Sequence, residues 1–360
     1  MSHALPSPVR RAKTSWRILA VAVLGGACAL PAFALKYAAV EHHLQADPAL
    51  PVWTPGPVKS VPEEELNLVG ADIMDEITLG WIKIYREAYP RLSVTMEARS
   101  SGSGVPALTA GIAHLAPVGR EALPKEHDDF VKKFGYEPFA IKVATGSLGS
   151  LGKTATSIVL VAKSNPIPGL TFKQLDQIYS QSHHRGGEAI TTWGQLGLTG
   201  EWATRPIHLY GLKPPNGIEQ FFKWKVLENG AWRDGIQNVK GQGFIHAFTV
   251  ASNDMHTQLG GLTYALLANV TPDVRVVPLA EQDGTPFIYP TIDTVYHHTY
   301  PLSRYVYLYV NRPPGTKLEP KIKEFLKLVL SKQGQDVAAQ EGVFMPLLPE
   351  VVQAELAKLE

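Results

Sequence analysis

Strand-like and helix-like hydrophobic patterns alternate along this chain, and the alternation limits the folds that it can adopt. Residues 66–69, LNLV, indicate a short strand, and residues 74–85 repeat apolar side chains at helical spacing. Residues 92–98 then return to a period of two, which is typical of a strand. A strand, a helix and a strand in this order predict a βαβ unit, in which ligands bind at the carboxyl ends of the strands.

Later segments continue the same alternation. Residues 157–162, SIVLVA, indicate a buried strand, and residues 304–310, RYVYLYV, alternate tyrosines with aliphatic side chains. Near the C terminus one helical face carries Ile322, Phe325, Leu326, Val329 and Leu330. We therefore expect an α/β fold with mixed, mostly parallel sheets.

The N-terminal residues have the pattern of an export signal. Residues 1–17 carry several basic residues and no acidic one, and the apolar run of residues 18–30 precedes the sequence Ala-Phe-Ala at residues 32–34. This order is typical of a secretory signal peptide, and the apolar run is short for a membrane span. We expect a signal peptide over residues 1–34, cleaved after Ala34, and a periplasmic or otherwise exported protein. An uncleaved membrane anchor is the alternative.

The composition of the remaining chain excludes two classes of function. Cys28, the single cysteine, lies within the predicted signal peptide, so the mature protein has no thiol chemistry and no disulfide. The chain has 34 Lys and Arg residues against 33 Asp and Glu residues and lacks basic runs, which argues against a nucleic-acid partner. Residues 35–65 are rich in proline and show little periodicity, so we interpret them as an extended linker.

Two glycine-containing turns are candidates for anion binding. In residues 98–108, ARSSGSGVPAL, we expect a helix from Val105 with Pro106 in its first turn, where proline is tolerated. In residues 210–222, YGLKPPNGIEQFF, Asn216 and Glu219 have the spacing of a capping box. Free N–H groups at a helix start carry partial positive charge and favour an anion. The alternative interpretation is that both turns only begin helices.

Other motifs do not support nucleotide, metal or catalytic chemistry. Residues 146–154, GSLGSLGKT, lack the spacing of a P-loop and precede a strand, so we interpret them as an exposed linker. Adjacent histidines point to different sides of a strand or helix and rarely share a metal ion. The serines of the first turn lack the G-x-S-x-G pattern of a nucleophile elbow. We expect no cofactor, no metal ion and no catalysis, although distant residues can assemble a triad in space.

These segments, taken in order, resemble the phosphate-binding, PstS-like substrate-binding proteins of ABC importers. The resemblance covers roughly residues 66–358 and rests on NLVGADIM, RSSGSGVPALTAG, LAPVGREAL, NGIEQFF and YPLSRYVYLYVN, among others. It implies a type II periplasmic-binding-protein fold, in which two α/β lobes enclose a ligand cleft around a hinge. We expect residues 66–145 in the first lobe and residues 146–311 in the second, with residues 312–360 returning to the first lobe as helices.

The resemblance also implies an anion site in the cleft. Ser101 matches the serine of the family's Gly/Ser loop, Arg120 the arginine of its third turn, and Gly217 the glycine of its second-lobe loop. The family's threonine, serine, arginine, serine and threonine are replaced by Ile73, Gly119, Leu212, Asn216 and Ile218. The candidate ligand-binding residues are Met74, Ser101, Gly102, Ser103, Gly104, Arg120, Asn216, Gly217 and Ile218.

The replaced donors leave more than one function open. A lost charge-assisted hydrogen bond costs about 1.5–3 kcal/mol and a lost neutral one about 1 kcal/mol, so together these changes weaken phosphate binding roughly 10³-fold or more. The first hypothesis is a monomeric, exported solute-binding protein that delivers phosphate or a related oxyanion to an ABC permease. The second is a non-transport envelope module for binding or sensing, with a weak or lost phosphate site. A hydrolase is the third.

Overall fold

The computed structural model of the protein describes residues 44–57, 65–148, 155–212, 217–238, 259–267 and 270–360. The predicted signal peptide, residues 1–34, lies outside this part of the chain, as do Asn216 and most of residues 146–154. None of the described helices is both long enough and apolar enough to cross a membrane.

Strands and helices alternate as the hydrophobic patterns predict. In chain order the strands are β1 (Glu65–Gly70), β2 (Ser93–Ala98), β3 (Leu115–Val118), β4 (Phe139–Thr145), β5 (Ser157–Ala162), β6 (Leu170–Thr171), β7 (His208–Gly211), β8 (Gln237–Asn238), β9 (Gly261–Leu266), β10 (Val274–Val277), β11 (Leu279–Ala280) and β12 (Tyr305–Val310). The helices are α1 (Asp75–Ala88), α2 (Ser101–Ala110), α3 (Pro124–Phe134), α4 (Phe172–Tyr179), α5 (Gly217–Leu227), α6 (Ile292–Tyr296), α7 (Pro320–Val329), α8 (Lys332–Glu341) and α9 (Pro349–Ala357).

Two five-stranded sheets form the centres of two lobes. In the first lobe the strand order is β2-β1-β3-β12-β4, with β1 parallel to β2 and β3, and with β12 antiparallel to β3 and β4. In the second lobe the order is β10-β5-β9-β7-β8, again with two parallel and two antiparallel pairings. The predicted two-lobed α/β fold with mixed sheets is confirmed. Antiparallel pairings are as common as parallel ones in the described part of these sheets.

Each lobe buries its own apolar core. The first core packs α1 and α7 against the first sheet and includes Trp81 and Phe325, both fully buried. The second core packs α4 and α5 against the second sheet and includes Phe172 and Phe222. Helices with apolar residues at helical spacing place those residues on one side, and that side is covered by the sheet. The lobes are therefore separate packing units joined by chain crossings.

The position of β12 corrects the predicted boundary between the lobes. Residues 305–310, which the sequence analysis assigned to the second lobe, lie between β3 and β4 in the first sheet. Every residue of β12 after Tyr305 is buried, because a central strand has a neighbouring strand on both edges and packed layers on both faces. The chain therefore returns to the first lobe before Tyr305 and not after residue 311.

Part of the predicted linker packs on the first lobe instead of extending away from it. Leu50 and Trp53 are buried in the first core, and the Trp53 ring lies 6.2 Å from the Tyr85 ring, centroid to centroid. The Trp53 backbone N–H donates to Gln333 Oε1 (2.9 Å), and Gln333 Nε2 donates to the Trp53 carbonyl oxygen (2.9 Å). Prolines remove helical periodicity from this segment, but the apolar side chains between them are enough to anchor it. Residues 44–57 thus belong to the folded body.

The anchoring of residues 44–57 predicts a stability cost for Trp53→Ala. Because Trp53 is only 9% exposed, its removal leaves a cavity, and we expect a loss of about 3 kcal/mol in the free energy of unfolding. Val52→Ala is the matched control, since Val52 is 71% exposed and a change there costs less than about 0.5 kcal/mol. Urea unfolding of both variants measures the difference. Equal stability of Trp53→Ala and the wild type would show that this segment is an unattached linker.

A histidine lies where the chain crosses between the lobes, after β4 and before β12. The His298 ring stacks on the Tyr305 ring at 3.7 Å between centroids, and His298 Nε2 lies 3.2 Å from Thr145 Oγ1. Burial, and then the positive charge of Lys142, lower the pKa of His298 to about 4. His298 is therefore neutral at physiological pH and joins the end of β4 to the start of β12.

The lowered pKa of His298 predicts an acid-sensitive hinge. Between the ordinary pKa of 6.5 and the folded-state pKa of about 4, the unfolded chain binds a proton that the folded chain does not, so stability falls as the pH drops through this window. Allowing for the partial exposure of the ring, we expect this histidine to account for about 2 kcal/mol. Urea unfolding at pH 7 and pH 4.5 should show a smaller loss for His298→Gln than for the wild type.

The matched control for this experiment is His297→Gln, which removes the neighbouring, exposed histidine. We expect its loss of stability on acidification to match that of the wild type. If His298→Gln loses as much stability as the wild type between the two pH values, protonation of His298 is not what weakens the hinge.

Candidate functional site

One of the residues predicted to bind an anion, Arg120, lies where the two lobes touch. The first lobe contributes residues 120–124 to this contact, and the second lobe contributes the first turns of α5. Arg120 and Leu123 on one side, and Phe221 and Trp224 on the other, line a cavity of about 10 Å³. A space of this size holds about one water molecule. The lobes are therefore closed against each other at this edge of the cleft.

Helix α2 begins one turn before the predicted start at Val105. Ser100 is the N-cap residue, and Ser103 Oγ accepts a hydrogen bond from the Ser100 N–H (3.4 Å) and donates to the Ser100 carbonyl oxygen (2.7 Å). Serine pairs at this spacing form a capping box, and the box begins the helix upstream of the proline. Pro106 consequently lies inside the helix, where it leaves the carbonyl of Gly102 without its helical hydrogen bond.

The Gly/Ser loop contains residues with different roles. Ser101 Oγ accepts a hydrogen bond from the Gly119 N–H (3.3 Å). A Cβ on Gly102 would lie 3.8 Å from Arg120 Nη2, so the start of α2 adjoins this arginine. A Cβ on Gly104 would lie 2.8 Å from Val118 Cγ2, so this glycine lets α2 pack on β3. Ser101, Gly102 and Arg120 are thus adjacent. Ser103, in contrast, forms hydrogen bonds that begin α2, and Gly104 allows α2 to pack closely on β3.

Arg120 is held by a buried ion pair inside the first lobe. Its Nη1 and Nη2 donate to Glu126 Oε2 and Oε1 (2.8 and 2.7 Å), and Nη1 also donates to the Glu121 carbonyl oxygen (2.9 Å). The two side chains are 9% and 10% exposed. These bonds use three of the five guanidinium N–H groups. Arg120 is therefore fixed at the cleft edge with Nε and one Nη2 proton still available.

Two tyrosines of β12 fix the loop that carries Arg120. Tyr307 O–H donates to Glu121 Oε1 (3.1 Å), and Tyr309 Oη accepts from the Ala122 N–H (2.8 Å). Burial raises the pKa of both phenols, so both remain protonated at physiological pH. Glu121 Oε2 is buried and has no hydrogen-bond partner. The loop thus presents a fixed arginine beside a buried carboxylate.

Arg304 also reaches the cleft, and the sequence analysis did not select it. The residue is 5% exposed, its guanidinium carbon lies 4.2 Å from the centre of the Phe221 ring, and its Nη2 lies 3.5 Å from the Gly119 carbonyl oxygen. Burial lowers the pKa of Arg304; the nearby charge of Glu121 opposes this shift, and the charge of Arg120 adds to it. One feature of the sequence could have identified Arg304. It is a charged residue directly before a buried apolar strand, at a position where packing alone does not require a charge.

The second-lobe side of the cleft offers fewer polar side chains. Ile218 and Leu212 are buried in the second core, and the Leu212 N–H donates to Tyr264 Oη (3.1 Å). Glu219 Oε1 accepts a hydrogen bond from Trp232 Nε1 (2.5 Å). Gly217 begins α5, and no described atom lies within 4 Å of the position that a Cβ would take there. Among the second-lobe residues predicted to bind the ligand, Gly217 therefore has open space beside it in the described part of the chain.

Met74 was predicted to bind the ligand, and the structure corrects this assignment. Its side chain is fully buried in the first core, and its N–H donates to the Ala71 carbonyl oxygen (3.0 Å). After β1 the chain turns through a short 3₁₀ segment, Asp72–Met74, which directs Met74 inward.

Among the described residues no group of three His, Cys, Asp or Glu side chains is placed to hold a metal ion.

The buried ion pair predicts a large cost for Glu126→Gln. Removing one partner of a buried pair leaves the charge of Arg120 without its counter-ion, so we expect the free energy of unfolding to fall by about 3 kcal/mol. Lys125→Gln is the matched control, because it breaks a pair with Asp129 whose side chains are 84% and 55% exposed and costs less than about 0.5 kcal/mol. Urea unfolding compares the two. Equal effects of both variants would mean that the Arg120–Glu126 pair does not hold the loop.

Comparison with known proteins places this chain in a family. A family model described as a PBP superfamily domain matches residues 57–333. The phosphate-binding protein PstS of Pseudomonas aeruginosa is 35% identical over 314 residues, which cover 87% of this chain and 91% of that protein.

Two solved structures share the fold. An ABC-type phosphate transport receptor from Vibrio cholerae has a TM-score of 0.51 at 18% identity and covers 78% of this chain and 100% of its own. PstS from Borrelia burgdorferi has a TM-score of 0.53 at 16% identity and covers 79% of this chain and 99% of its own. From the family model and the 35% identity to the Pseudomonas protein, we conclude that this chain belongs to the PstS-like family of phosphate-binding proteins within the PBP superfamily.

Proposed function

We propose that this protein is an exported solute-binding protein that holds phosphate or a related oxyanion between its lobes for delivery to an ABC permease. The observation that carries the proposal is the junction of Ser101, Gly102 and Arg120 at the start of α2, on the cleft side of the first lobe. The names of the relatives support the ligand class. The Pseudomonas relative is called a phosphate-binding protein, PstS, and the Borrelia structure is also called PstS. The Vibrio structure is called a phosphate transport receptor.

The first lobe supplies the chemistry that an oxyanion needs. The start of α2 carries partial positive charge and N–H groups without helical partners, which favour an anion. Ser101 adds a hydroxyl donor, and Arg120 adds the N–H groups that Glu126 and Glu121 leave unused. Because the ion pair with Glu126 fixes the guanidinium in advance, little side-chain entropy is lost when an anion binds.

The second lobe contributes contacts of a different kind. Leu212 and Ile218 carry no side-chain donor, and both are packed in the second core. The second lobe therefore contacts the ligand through backbone N–H groups near Gly217 and covers it when the lobes close. We propose Gly217 and Ile218 as backbone contacts of the site, together with Asn216, which lies outside the described residues.

The proposal extends to where the protein works and what it does not do. The basic, apolar and small-residue order of residues 1–34 supports export with cleavage after Ala34. We assign binding without catalysis, because the sequence offers no nucleophile elbow and the named relatives bind rather than convert their ligand. A monomer that passes its ligand to a permease is consistent with this role.

A thermal-shift titration of the purified protein with inorganic phosphate tests the proposal. A ligand at 100 times its dissociation constant stabilises a protein by about 2.7 kcal/mol, which raises the melting temperature visibly. We expect Ser101→Ala to weaken phosphate binding about fivefold, because one neutral hydrogen bond is worth about 1 kcal/mol. Thr109→Ala is the matched control, since this hydroxyl lies at the other end of α2 and donates to the Val105 carbonyl oxygen (2.9 Å).

Three outcomes separate the hypotheses. Stabilisation by phosphate that falls in Ser101→Ala and persists in Thr109→Ala supports the proposed site. Stabilisation that is equal in both variants places the phosphate elsewhere. The absence of any shift at millimolar phosphate would overturn the phosphate carrier and favour an envelope module that keeps the scaffold without this ligand.

A further inference from the structure

Arg304 is a buried cation that forms no ion pair with the described residues around it. The residue is 5% exposed, and Glu121, the described carboxylate whose charge acts on it, forms no ion pair with its guanidinium. Its Nε is buried without a hydrogen-bond partner, and its Nη2 reaches only the Gly119 carbonyl oxygen at 3.5 Å. Burying an unpaired charge is among the most costly arrangements in a protein.

Other arginines in the described chain have hydrogen-bond partners for their guanidinium groups. Arg275 donates from Nε and Nη2 to the carbonyl oxygens of Asn165 and Ile167. Arg185 donates to two backbone carbonyls at the end of α5 and pairs with Glu228. Arg304 is more deeply buried than either of them and has fewer partners. Its position is therefore not explained by the fold alone.

The guanidinium of Arg304 lies between the lobes. On one side the first lobe contributes Gly119, whose N–H donates to Ser101 Oγ. On the other side the second lobe contributes Phe221, whose ring covers a face of the guanidinium at 4.2 Å. A ring on the face leaves the in-plane N–H groups free to donate, and those groups match the geometry of an oxyanion.

The charges named in the cleft balance, two cations against two carboxylates, but the hydrogen-bond donors do not. Arg120 and Glu126 neutralise each other through two hydrogen bonds. Glu121 is the carboxylate whose charge acts on Arg304, but its Oε1 accepts from Tyr307 O–H and it forms no ion pair with Arg304. The donor capacity of Arg304 is thus left over after the first lobe has satisfied its other charges.

We propose that Arg304 binds the oxyanion directly and replaces, from the start of β12, the arginine that is missing at Leu212. The inference rests on the proposed function, because it assigns a further ligand-binding residue to the same cleft. The anion would contact a guanidinium that already touches Gly119 of the first lobe and Phe221 of the second.

Isothermal titration of inorganic phosphate into the purified protein, after dialysis against phosphate-free buffer, tests this assignment with three variants. Arg304→Met removes the charge and keeps the length of the side chain, and we expect phosphate to bind about 10- to 100-fold more weakly. Arg304→Lys keeps the charge without the planar fork, and its affinity should lie between those of the wild type and Arg304→Met. Arg275→Met is the matched control and should bind within about twofold of the wild type.

The melting temperature of the ligand-free variants separates a binding role from a structural one. A buried guanidinium without an ion pair, whose Nε has no hydrogen bond to the described residues, adds little to stability, so ligand-free Arg304→Met should melt no lower than the wild type, whereas Arg275→Met should melt lower. If the wild type binds phosphate and Arg304→Met binds it equally well, the inference is wrong and the proposed function stands. If the wild type does not bind phosphate, the proposed function fails, and a marked drop in the melting temperature of ligand-free Arg304→Met then also overturns the inference.

Discussion

The insertion of β12 between β3 and β4 is the constraint on which the site depends. β12 pairs antiparallel with both neighbours, so its residues are fixed in register against the loop that follows β3. Tyr307 and Tyr309 then hold Glu121 and Ala122. Arg304 enters the cleft because it precedes the strand by one residue. A strand that is distant in sequence thus determines where the candidate anion site lies.

Local patterns in the sequence were enough to predict most elements of the fold. The strands predicted at residues 66–69 and 157–162 correspond to β1 and β5, and the helical spacing near residue 325 corresponds to α7. These features depend on neighbours within a few residues, which periodicity records. The start of α2 was missed because a capping box of two serines outweighed the proline signal.

Features set by distant contacts could not be read from the sequence in the same way. Nothing in the pattern of residues 305–310 says which sheet the strand joins, because a strand buried on both faces suits either core. The prolines around Trp53 suggested a linker, whereas contact with Gln333 anchors it. For the site, resemblance led to Ser101 and Arg120, but it gave no reason to select Arg304. Its importance appears only when burial and missing partners are known.

The same burial links ligand binding to the position of the lobes. Arg304 is desolvated because Phe221 of the second lobe covers it, and a guanidinium in water would not carry this cost. A ligand shifts a conformational equilibrium only by the difference between its affinities for the two states. On the proposed assignment, an oxyanion gains most from Arg304 when the lobes are closed, since a charge-assisted hydrogen bond strengthens as water is excluded. Without a ligand, closing the lobes desolvates Arg304 and costs free energy. With a bound oxyanion, the same arginine would make closing the lobes favourable.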